Sequence, residues 1–168
     1  MDIRITKQER ADRVEAWPPG WAPVAFDLPK KGPVPHDVVH LFVESELGIA
    51  DGFWGRLARG IDPAALADMA KAAGHASAKR AAVPDAAIVP IVQAERLVEA
   101  FEADLWGGGG DNDSLRSMAA AGCEQSLVPM PELGDGAVER IRGHLLRFHG
   151  HWAALAHGGA VEMQWPEA

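Results

Sequence analysis

The residues best suited to chemistry stand together in the stretch Val34-Pro35-His36-Asp37-Val38-Val39-His40-Leu41-Phe42-Val43-Glu44. Imidazole nitrogen and carboxylate oxygen are the donors that zinc, iron or manganese accept, and two His four residues apart on a helix can grip one ion. At about 100° per helical residue, His40 falls about 40° from His36, Glu44 about 80° and Asp37 about 100°. Two imidazoles and two carboxylates therefore share one arc. Val38, Val39, Phe42 and Val43 take the opposite arc, which predicts the buried side. The expectation is a divalent-metal site, with zinc a candidate ion, built from His36, Asp37, His40 and Glu44. A plainer reading stands beside it. Asp37 in a first turn suits the helix dipole without any metal, Glu44 sits where a solvated face carries charge, and the two His are then boundary residues.

Comparison with known patterns narrows the chemistry. A zincin protease places Glu directly after the first His as general base, and here that place holds the shorter Asp37. HD phosphohydrolases need a further His upstream, and residues 1–35 contain none. His36-Asp37-Val38-Val39-His40 resembles the His-Asp-x-x-His zinc motif of a coenzyme Q biosynthesis family. That family binds zinc on a helix and acts on a quinone-ring precursor. The resemblance implies zinc and a hydrophobic, ring-bearing substrate. In that family a Glu follows after eleven intervening residues. Here Gly52 holds that position with Asp51 before it, so Glu44, Asp51 or a C-terminal His is left to complete the site. Over most of the chain, the opening strand, the Pro-His-Asp-x-x-His-x-x-x-Glu helix, Asp51-Gly52-Phe53-Trp54-Gly55 and Gly158-Gly159-Ala160-Val161-Glu162 are similar to a set of uncharacterised bacterial proteins. That similarity implies a stand-alone bacterial domain and carries no mechanism.

The elements that must position these groups follow from periodicity. Ile3 and Ile5, Val14 and Ala16, Val24, Phe26 and Leu28, and Val161, Met163 and Trp165 alternate with other residues, which predicts strands near 2–6, 13–16, 23–28 and 160–165. Strands so short must pair to satisfy their backbones. One small antiparallel sheet uniting the two ends of the chain is therefore expected, covered by five or six helices in an α+β fold. Pro35 is read as the first helical residue of the His-bearing helix and Gly48 as its stop. Asp51 and Asp62-Pro63 open two more helices, the second running to Gly74. Another helix starts near Pro90 and carries Ile91, Ala94, Val98, Phe101 and Leu105. It ends at Gly107-Gly108-Gly109-Gly110, read with Asp111 to Ser114 as a mobile loop. No Lys-Ser/Thr ending follows, so a phosphate cradle is not expected. The last helix carries the stripe Val138, Ile141, Leu145, Phe148, Trp152 and Leu155.

Other groups are weaker candidates. His144, His149 or His151 could complete a metal site from the last helix, although core or boundary histidines with ordinary partners are the plainer reading. His75 sits near a loop end. Phe53 and Trp54 suit core packing first and the wall of a ligand pocket second. Cys123 lies in no setting that lowers a thiol pKa, so nucleophilic catalysis is not expected.

Composition bounds the class. The 168 residues fit one domain, 1–168, and 48% apolar with 24% charged residues is an ordinary globular balance. A net charge of −8 with scattered basic residues argues against nucleic acid. No apolar run is long enough to span a bilayer. One cysteine and an N-terminus without a signal-peptide core suit a cytoplasmic location. Two functions are then in view. One is a metal-dependent enzyme acting on a small hydrophobic or ring-bearing molecule. The other is a non-catalytic module that uses the same helix face to bind a protein partner.

Overall fold

Period-two alternation builds the sheet in the computed structural model, which describes residues 1–69, 71 and 84–166. In β1 (Asp2–Thr6), Ile3 and Ile5 are fully buried while Asp2 and Arg4 face outward. β2 (Ala11–Trp17) turns Asp12, Val14 and Ala16 inward. With β3 (Val24–Pro29) and β4 (Ala160–Gln164) the antiparallel order is β3-β2-β1-β4. Ile5 lies opposite Val14 on one side and Val161 on the other, so the two ends of the chain share one apolar layer. The Met1 amine donates to the Trp165 carbonyl and the Trp165 N–H to the Met1 carbonyl, each at 2.9 Å. The expected α+β architecture is what the chain adopts.

Helices cover the inner face of this sheet. They are α1 (His36–Leu47), α2 (Phe53–Ala58), α3 (residues 63–69), α4 (Val89–Trp106), α5 (Asn112–Gln125) and α6 (Asp135–Ala154). The expected end of α3 at Gly74, and His75 beyond it, lie outside the described residues. Pro35 proves to be the N-cap of α1 rather than its first residue, and Gly48 ends the helix at φ 64°. α1 packs against α2, α4 and α6 and is enclosed on nearly every side. Its valines meet the sheet and core, and its polar arc meets α4. Glu44 is therefore fully buried, not solvated. In α6 the expected stripe is buried from Val138 through Ile141, Leu145 and Phe148 to Trp152, while Leu155 is the half-buried C-cap, and Phe148 stacks on Trp152.

Two expectations for the middle of the chain need correction. The Gly107–Gly110 stretch is tied down: Gly109 N–H donates to the Asp104 carbonyl at 2.8 Å and Gly110 N–H to Asp104 Oδ1 at 2.9 Å. Asp104 in turn takes a two-pronged contact from Arg142 on α6 at 2.8 Å per bond. Asp111 then opens a helix instead of extending a loop, accepting Ser114 N–H at 2.8 Å. That helix, α5, buries Leu115, Ala119 and Cys123, one residue every fourth position.

Candidate metal centre

α1 supplies two imidazoles one turn apart and the Glu44 carboxylate, and α4 supplies the Glu95 and Glu102 carboxylates. His40 is buried, with Nδ1 2.9 Å from Glu44 Oε1 and Nε2 3.2 Å from Glu95 Oε2. His36 repeats the pattern, with Nδ1 2.9 Å from Glu102 Oε1 and Nε2 3.5 Å from Glu95 Oε1. The two rings meet edge to face with centroids 4.8 Å apart. Each Nδ1 thus has its own carboxylate, and both Nε2 atoms converge on a third. His36, His40 and Glu95 form a group able to hold a metal ion, their ligand atoms all within 4.8 Å of one another.

Glu44 acts behind this group. Its Oε1 accepts the Phe53 N–H at 3.0 Å and its Oε2 the Trp54 N–H at 2.9 Å, so one carboxylate both orients His40 and closes the first turn of α2. The approach is close enough to require Gly52, because a Cβ there would lie 2.4 Å from the Glu44 carboxyl carbon. Trp54 is pinned in turn, its indole N–H donating to the Asp37 carbonyl at 2.7 Å.

Burial disfavours charge on both imidazoles, but their carboxylates outweigh it. Hydrogen bonds to Glu102 and Glu95 raise His36 to about 9. Hydrogen bonds to Glu44 and Glu95 raise His40 to about 10. Burial alone would raise the Glu95 carboxyl, yet the two His hold it well below the usual carboxylate range. Asp37 moves the other way: desolvation pushes its carboxyl up, against the pull of His40 and His36.

The group opens into a cavity of about 840 Å³ between the β3 edge, α1, α3 and α4. Phe26, Leu28, Phe53, Leu66 and Ile91 supply apolar walls, while His36, Asp37, His40 and Glu95 line the polar part. Phe26 and Phe53 meet edge to face at 5.8 Å. The size suits a small organic molecule.

Of the four ligands expected from sequence, His36 and His40 join the group. Glu44 stands behind His40, and Asp37 lines the cavity without belonging to the ligand triad. Asp51 is committed to Arg59 at 2.5 Å. His144 pairs with Glu46 at 3.2 Å and stacks on Phe42, so the outer partners of the His pair are Glu44 and Glu102, not a histidine of α6. Glu95 and Glu102 were not anticipated. Their signal was the recurrence Glu95, Glu99, Glu102 at helical steps of four and three. Cys123 is buried, and desolvation raises its thiol, in keeping with an unreactive role.

No protein-family model, curated protein or solved structure matches the chain. Among the described residues, no helix is long and apolar enough to cross a membrane.

Proposed function

We propose that the protein is a metal-dependent enzyme in which His36 Nε2, His40 Nε2 and Glu95 hold one divalent ion, zinc by donor set, at the edge of the apolar cavity. One observation carries this reading. Each Nδ1 is committed to its own carboxylate, Glu102 or Glu44, while both Nε2 atoms face Glu95. An Nδ1–H held by a carboxylate fixes the tautomer and turns the Nε2 lone pair toward an ion. Zinc bound at about 2.0–2.1 Å in tetrahedral geometry sets its ligands about 3.3–3.4 Å apart. His36 Nε2 lies 3.5 Å from Glu95 Oε1 and His40 Nε2 3.2 Å from Glu95 Oε2. With one ligand atom from each residue the set lies within 4.8 Å, so side chains must draw together to reach that spacing. Two His and one carboxylate leave a fourth position for water or substrate. The ion would polarise a carbonyl or activate water there, and the apolar walls favour a small hydrophobic or ring-bearing molecule.

The raised imidazoles support a second reading. Two imidazolium ions among Glu44, Glu95 and Glu102 make a closed ion-pair network that joins α1 to α4 without a metal. The same cavity would then serve binding alone.

Metal analysis separates the two. Protein purified without a nickel column and reconstituted with zinc at mildly alkaline pH should carry one zinc per chain, and His40→Gln should abolish it. Absence of stoichiometric metal in the parent protein would overturn the enzyme reading in favour of the network.

A further inference from the structure

Within the cavity, most polar side chains are already engaged. Asp27 bonds Arg13 at 2.9 Å, Asp62 caps Ala64 N–H at 2.8 Å, and His36, His40 and Glu95 satisfy one another. Asp37 differs. Its backbone is fixed by the Trp54 indole, but its carboxyl lines the cavity and has no hydrogen-bond partner among the described residues. A carboxyl in a largely apolar wall, with no donor among the described residues, is an acceptor left for a ligand.

We infer that Asp37 is the specificity-determining residue of this cavity. The molecule it selects is small and apolar, and presents an N–H or O–H donor beside the oxygen that meets the metal. The inference rests on the metal reading given above. A ligand lacking the donor would leave the Asp37 carboxyl desolvated and unpaired, which weakens binding more than loss of an optional contact does. The chemistry is that of a secondary amide, hydroxamate or hydroxylated ring, not an ester or ketone without a neighbouring donor.

Two probes test this on the zinc-loaded protein. Benzohydroxamate offers two oxygens to zinc and an adjacent N–H; its N-methyl analogue offers the same oxygens and no N–H. Calorimetric titration should show benzohydroxamate bound at least about tenfold more tightly. In Asp37→Ala that preference should shrink to within about twofold, with zinc content unchanged. Full zinc occupancy with equal affinity for the two probes in the parent protein would overturn the inference and leave the metal reading intact. So would a preference that survives Asp37→Ala. A parent protein that takes up no zinc would overturn both. The comparison of probes on the parent protein needs no variant, so a failure of Asp37→Ala to fold does not spare the inference.

Discussion

Glu95 Oε2 lies 3.2 Å from His40 Nε2, joining α4 to α1 across 55 positions of the chain. The same carboxylate faces His36 through its other oxygen at 3.5 Å, so removing its charge strikes both imidazoles together. Glu95→Gln keeps the shape and should lose zinc almost completely. Glu102→Gln, which alters only the partner of His36 Nδ1, should weaken zinc about 10–100-fold. Competition against a chromophoric chelator reads both. Equal affinity losses in the two variants would refute the assignment of Glu95 as ligand and Glu102 as its support.

Gly52→Ala should be costly although its backbone strains nothing. The new Cβ would meet the Glu44 carboxyl carbon at 2.4 Å and push the carboxylate off the Phe53 and Trp54 amides. Leaving those buried groups unpaired should cost about 1–3 kcal/mol. Chemical denaturation measures the loss. Zinc affinity should fall with it, because the same carboxylate orients His40.

Acidity couples to the site through proton exchange. His36 and His40, raised to about 9 and about 10, are protonated at neutral pH without metal. Because both are raised above the unfolded value, their stabilisation is complete below about 6.5 and is lost as pH rises through 9 and 10. The metal-free protein should therefore melt progressively lower from pH 7 to 10. Zinc must displace about two protons, so its affinity should rise steeply with pH, by up to roughly 100-fold per unit below pH 9. Zinc binding insensitive to pH between 6 and 8 would contradict this account.

Trp152, 5% exposed and stacked on Phe148, anchors α6 under the sheet. Trp152→Ala should destabilise the fold by about 3–5 kcal/mol. Thermal melting within error of the parent would show that this end of α6 is dispensable to the core.

Much of this architecture is legible in the amino-acid order because it is local. Ile3 and Ile5 declare a strand by alternation, and Val138 to Trp152 declare a helix by stripe; both outcomes follow from one buried face. The His pair of α1 is legible for the same reason. What the sequence hides is which surface covers the polar arc. Glu44 reads as a solvated charge until α2 and α4 enclose it, and Glu95 cannot be matched to His40 without knowing how two distant helices pack. Helix α5 escapes detection because Ala119, Gly122 and Cys123 give its inner face little apolar contrast, while the glycines before Asp111 read as loop.

The central place of β1, with β2 on one side and β4 on the other, sets an order on the molecule's birth. At about 5–20 residues per second, a ribosome takes about 8–30 seconds between making β1 and β4. Through that interval the β1 edge has no strand beside it, and Ile3 and Ile5 lack their partners Met163 and Val161. An exposed strand edge of this kind is a template for pairing with other chains. β1 becomes an inner strand only when β4 is made.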